Sequence, residues 1–123
     1  MSSVSILEQV KALASGGEYS LAFSYFHTAY PTVQQMASMF TLAPADIHET
    51  LASDDFWLGY VHREEGEGDG FYVIDKGSSY LTYEQERGVR SHERAWRAFD
   101  EAREAYADVL VRSLEFLRRS AVR

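Results

Sequence analysis

The stretch FYVIDKGSSYLTYEQERGVRSHERAWRAFDEAREAYADVLVRSLEFL, residues 71–117, decides the fold. Residues 71–74 and 80–83 are rich in aromatic and β-branched side chains, which suit a pleated, half-buried surface. Between them Lys76-Gly77-Ser78-Ser79 has turn chemistry, so the two runs read as a β-hairpin. Further on, Trp96, Phe99, Ala102, Tyr106, Leu110 and Leu117 recur at steps near three and four residues, which lays one apolar stripe along a long helix. A sheet face and a helix stripe that each need cover can bury one another. Residues 89–95 read either as a short further strand or as an early start to that helix, which is expected from about Arg97.

Ahead of the hairpin the period is helical. Ser5-Ile6-Leu7-Glu8 has capping-box spacing, and Ile6, Val10, Leu13 and Ala14 share a face until Gly16-Gly17. A second helix carries Leu21, Ala22, Tyr25, Phe26 and Ala29 and ends before Pro31, whose ring disfavours helix at the preceding residue. Thr32-Val33-Gln34-Gln35 repeats the capping spacing and opens a third, with Met36, Met39 and Phe40. Pro44 suits the first position of a fourth, with Ile47 and Leu51 facing inward. Phe56-Trp57-Leu58-Gly59-Tyr60-Val61 has strand composition and is expected to be the first strand of a three-stranded meander. The fold expected is a single α+β domain over residues 1–123: N-terminal helices, a three-stranded antiparallel meander, and a long C-terminal helix packed on the sheet.

At 123 residues, 46% hydrophobic and 14% aromatic, the chain can bury a core without staples. It has no cysteine, which excludes disulfides and thiolate metal sites and fits a cytoplasmic protein. No basic start followed by a long apolar run opens it, so secretion and membrane insertion are not expected. The net charge of −7 is unevenly held: residues 1–70 carry ten acids against Lys11 and Arg63, and residues 71–123 nine acids against ten bases. An acidic front half repels phosphate backbones and attracts a basic partner.

Four histidines, His27, His48, His62 and His92, match no metal-binding spacing, and no nucleophile or phosphate-loop motif occurs. Neither a catalytic site, a metal nor a cofactor is expected. The run Glu64-Glu65-Gly66-Glu67-Gly68-Asp69-Gly70 is glycine-rich, but its acids would repel an anion, so it reads as an exposed acidic loop. Asp54, Asp55, Glu64, Glu65, Glu67 and Asp69 are the candidate partner-binding acids, with Trp57 and Tyr60 as aromatic anchors if they stand outside the core.

Residues 33–51, VQQMASMFTLAPADIHETL, resemble a helix-turn-helix unit. Ala37 stands at the small crossing position, Phe40, Leu42 and Ile47 at core positions, and Thr41 where glycine is usual. With the hairpin as a wing and the last helix as a dimerising element, that resemblance implies a winged-helix regulator acting as a homodimer. Its would-be recognition helix offers Asp46, His48 and Glu49 and no arginine or lysine, which argues against nucleic acid as the partner.

A second resemblance lies in the organising stretch. Phe71-Tyr72-Val73-Ile74-Asp75-Lys76, then Tyr80-Leu81-Thr82-Tyr83-Glu84-Gln85-Glu86-Arg87-Gly88, an aromatic at Trp96, and Glu101-Ala102 with Tyr106 beyond look similar to immunity proteins of bacterial polymorphic-toxin systems. Glu84-Gln85 departs from the usual spacing of that pattern, and the cysteine frequent after Glu-Ala is missing. The resemblance implies a non-catalytic protein that binds and neutralises a sister toxin.

Overall fold

A computed structural model describes residues 4–122. The chain divides into two compact units, one formed by the residues up to Thr50 together with those from Asp108 onward, the other by Leu51–Ala107. The α+β class holds: helices, one three-stranded antiparallel sheet, and a long C-terminal helix.

In the first unit α1 (Ile6–Ser15) starts where Ser5 Oγ accepts the Glu8 amide. α2 (Glu18–Phe26) and α3 (Val33–Ser38) follow, the latter opened by a complete reciprocal cap between Thr32 and Gln35. α4 (Pro44–Ser53) begins at the proline, and Asp46 Oδ2 accepts the Ala43 amide at 2.7 Å. Residues 39–43 join α3 to α4, and they are pinned from two sides. Gln9, 1% exposed, accepts the amides of Thr41 and Leu42 on Oε1 and donates through Nε2 to Val4 O and Thr41 Oγ1. Arg118 Nη2 donates to the carbonyls of Phe40 and Leu42 at 2.8 and 2.7 Å. Phe40, Leu42 and Ile47 are buried.

The second unit holds the sheet, with strand order β1 (Gly70–Asp75), β2 (Tyr80–Glu86), β3 (Val89–Trp96). The expected hairpin is present: Asp75 pairs with Tyr80, Lys76 N donates to Ser79 O, and Gly77 N to Asp75 Oδ1. One expectation is corrected. Residues 56–61 are not a strand; Asp55–Tyr60 is a 3-10 helix, begun by Asp54 accepting the Phe56 amide at 3.0 Å. Its winding buries Trp57 completely, against Phe99 and Tyr106 at ring-centroid distances of 5.4 and 5.7 Å. Burying a ring of that size is worth roughly 4–6 kcal/mol of transfer free energy, enough to override strand propensity.

The third strand is instead Val89–Trp96, the strand reading of residues 89–95, and the long helix begins at Phe99, two residues beyond Arg97. Arg87 and Gly88, at φ 52° and 79°, make the two-residue left-handed turn that suits the twist of a tight hairpin and pairs Glu86 with Val89. β3 is an edge strand exposed along almost its whole length. A bulge opposite Tyr83, with His92 at φ 55° and its Nδ1 2.9 Å from Glu84, interrupts its ladder, and its charges blunt the edge.

α5 (Phe99–Ala121) follows, with Asp100 and Glu101 in its first turn and Arg118 and Arg119 in its last, each sign matching the helix dipole. Its buried stripe is Ala102, Tyr106, Ala107, Leu110 and Leu114, and Asp108 stands 3.3 Å from His48. In the second unit the first turns of α5 cover one face of the sheet, Tyr106 lying 5.3 Å from Phe71 and Phe99 5.5 Å from Tyr80.

Candidate partner-binding site

The other face of the sheet carries Tyr72 and Ile74 from β1 and Leu81 and Tyr83 from β2. Here rings stack in series. His62 lies 4.4 Å from Tyr72, Tyr72 4.7 Å from Tyr83, and the Arg90 guanidinium 4.2 Å above Tyr83. The Tyr83 hydroxyl is buried without a partner among the described residues, and burial pushes its ionisation above the ordinary phenol value while Arg90 pulls it back.

The acidic loop of residues 64–69 is the cover of this stack. Gln85, 6% exposed, reaches Gly66 O at 2.9 Å, Gly68 O at 3.1 Å and the Tyr72 hydroxyl at 3.3 Å through Nε2. The Tyr72 hydroxyl donates to Gly68 O at 2.6 Å, and His62 Nε2 to Asp69 O at 2.7 Å. Asp69 Oδ1 accepts the Arg87 amide at 2.9 Å. His62 also bridges the outer edge of β1, its amide donating to Phe71 O and its carbonyl accepting from Val73. Gly70 closes the loop at φ 131°, a conformation side chains rarely adopt, where a Cβ would stand 3.2 Å from His62 Nε2. Residues that look like a loose tip are thus fixed at both ends and in the middle.

The eight candidate site residues are not brought to one place. Trp57 lies wholly in the core on the α5 side, so it is no surface anchor, whereas Tyr60 is 38% exposed. Asp54 and Asp55 open the 3-10 helix whose Trp57 enters that core. Glu64, Glu65, Glu67 and Asp69 belong to the loop on the opposite face. Glu65 is counterbalanced by Lys76 at 3.5 Å and Arg90 at 3.7 Å. Asp69 spends one oxygen on the Arg87 amide. Glu64 and Glu67 are exposed and face no cation among the described residues.

Charge follows the units rather than the halves of the chain. Leu51–Ala107 carries thirteen acids against seven bases, and the remainder six against five. In the first unit, a cavity of about 260 Å³ is lined by Val4, Gln9, Tyr25, Phe26, Ser38, Met39 and Thr41. Gln9 uses both amide hydrogens and its carbonyl on the chain itself, Thr41 Oγ1 accepts one of those hydrogens, and Ser38 Oγ donates to Gln35 O. Gln9 and Ser38 thus spend these bonds on the chain itself, where a ligand site needs converging polar groups.

Sequence reasoning missed Gln85, Tyr72, His62 and Gln9. A polar residue among strand aromatics, as in Thr82-Tyr83-Glu84-Gln85, was the available signal, but its partners lie up to 19 positions away. Among the described residues no group of three or more His, Asp or Glu is arranged to hold a metal ion, and no helix is long and apolar enough to cross a membrane. Comparison of the chain with family models, with curated proteins and with solved structures finds no match.

Proposed function

We propose that the protein is a non-catalytic binding protein of the immunity or antitoxin type, which neutralises a basic toxin domain by occupying its cationic surface. One observation carries this reading: the loop of residues 64–69 holds its carboxylates on a fixed frame, tied by Gln85, Tyr72 and His62. A partner that docks there orders nothing, so little of its Coulomb attraction is offset by lost loop freedom. Glu64 and Glu67, with Asp69, are the acids that meet it. Glu65 serves the fold through Lys76 and Arg90. Asp54, Asp55 and Trp57 lie with the opposite face and are left out of this surface.

The likeness in residues 71–106 agrees with this reading. A winged-helix regulator fits less well, because α4 directs acids where a recognition helix needs donors for phosphate and guanine.

The test is co-purification with the protein encoded by the adjacent reading frame, followed by growth rescue when both are expressed. Immunity requires a stable complex and rescue. A complex with promoter DNA at low salt, with neither of those, would replace it by the regulator reading.

A further inference from the structure

β3 is an open edge of the sheet. It pairs with β2 alone, and among the described residues no further backbone bond reaches it. An edge strand turns the N–H and C=O groups of alternate residues outward, which makes a template for one more strand. Charge sets this edge apart. Residues 87–97 hold Arg87, Arg90, Arg94 and Arg97 against Glu93, which with histidine neutral is a net +3 in a chain of net −7. Arg90 is engaged, stacked on Tyr83 with Glu65 at 3.7 Å. Arg87, Arg94 and Arg97 are exposed, and among the described residues none of the three has a carboxylate within ion-pair distance. Arg94 lies over the Trp96 ring at 4.4 Å, a contact that orients its guanidinium without neutralising it.

We propose that the β3 edge is a docking site for an acidic peptide, which adds in extended form as a fourth strand and sets its carboxylates against Arg87, Arg94 and Arg97. Two independent features define the occupant. Unpaired backbone groups are satisfied by an extended chain, and guanidinium groups without a counter-ion by carboxylates, which match the planar fork of arginine. Arginines on an edge bar a strand of like charge and admit one of opposite sign. A second copy pairing β3 to β3 would bring its own arginines against these, and is barred in the same way. A nucleic acid also offers negative charge, but it has no peptide N–H and C=O groups to complete the ladder. The remaining residues, at net −10 once this +3 is taken from the −7 of the chain, repel it as well. The bulge between Thr82 and Glu84 divides the edge, so the added strand pairs along two short stretches, residues 89–91 and 94–96, flanked by Arg87 and Arg97. Neither Glu64 nor Glu67 takes part, so failure of this inference would leave the proposed function untouched.

Two-dimensional NMR of the isotope-labelled full chain, titrated at low salt with a peptide of about ten alternating threonine and glutamate residues, reads the docking residue by residue. Amide shifts should change along β3 with a Kd below about 1 mM, and its outward amides should exchange more slowly once paired. Proline in place of threonine keeps the charge but abolishes the ladder, whereas lysine in place of glutamate keeps the ladder but reverses the charge. Neither of those peptides should bind. Arg94→Ser combined with Arg97→Ser should weaken binding about fivefold or more, and Arg97→Ser alone about twofold. The single variant keeps the test open if loss of the Arg94 stack on Trp96 disturbs β3. Four results would each overturn the proposal: no shift along β3 at about 1 mM peptide, equal binding of the proline or lysine peptide, folded variants that bind as wild type does, or the same shifts produced by a short oligothymidylate.

Discussion

Replacing Gln85 by leucine should release the acidic loop without emptying the space its side chain fills. Gln85 Nε2 lies within 3.3 Å of three acceptors, the carbonyls of Gly66 and Gly68 and the Tyr72 hydroxyl. An amide has only two hydrogens, so two bonds hold at a time. At about 0.5–1.5 kcal/mol each, their loss destabilises by about 1–3 kcal/mol, towards the lower end because both glycines lie where water can take over. Urea unfolding followed by tryptophan fluorescence isolates the effect, since Trp57 and Trp96 both belong to the unit Leu51–Ala107. Amide exchange should speed up at Arg87, whose N–H is held by Asp69. Tyr72→Phe removes the bond to Gly68 O, and the double variant should show coupling of about 0.5 kcal/mol or more, because the two side chains share one acceptor. A Gln85→Leu variant within about 0.5 kcal/mol of wild type, with exchange at Arg87 unchanged, would refute the idea that the loop is tied down.

Gln9→Leu should cost about 2–4 kcal/mol, since it strips the amides of Thr41 and Leu42 of their acceptor; helical circular dichroism during urea unfolding measures it, and a change under about 1 kcal/mol would contradict it. Gly70→Ala should cost about 1–3 kcal/mol from its φ of 131° and the crowding by His62, read by the same fluorescence unfolding. Burial raises the phenol ionisations of Tyr83 and Tyr106, with the Tyr60 charge adding to the second. The folded state therefore favours the neutral phenols, and their contribution is complete below the ordinary value of about 10 and is lost as pH climbs through it towards the raised folded values. Melting temperature should hold to about pH 9 and then fall, less so in Tyr106→Phe, and a wild type equally stable at pH 9 and pH 12 would contradict it.

The elements whose signals are local were legible in the sequence. Ser5, Thr32 and Pro44 start helices where their side chains dictate, and Asp75 with Lys76-Gly77-Ser78-Ser79 turns the hairpin. Two elements were decided by distant contacts instead. Residues 56–61 have strand composition, yet the tertiary demand for Trp57 between Phe99 and Tyr106 winds them into a helix. β3 shows no alternation because neither of its faces is deeply buried, and its only local mark is the Arg87-Gly88 turn. The acids of the candidate site were visible as letters, but not their fates. Which carboxylate is countered, which accepts a backbone amide and which stays open depends on Lys76, Arg87 and Arg90, up to 25 positions away. The glycine spacing marked an exposed loop, and what it did not show is that a Cβ at Gly68 would meet His62 and Tyr72 and one at Gly70 would meet His62.

The association rate of the protein with the basic toxin domain proposed as its partner, measured by stopped flow across a range of ionic strength for wild type and for the double variant Glu64→Ser, Glu67→Ser, tests the central claim most directly. The fixed loop predicts a wild-type rate that falls steeply with salt, and a double variant slower by about tenfold at low salt with a shallower slope and an unchanged fold. Equal rates and equal slopes for the two proteins would remove the loop from the encounter and with it the charge basis of the proposed function.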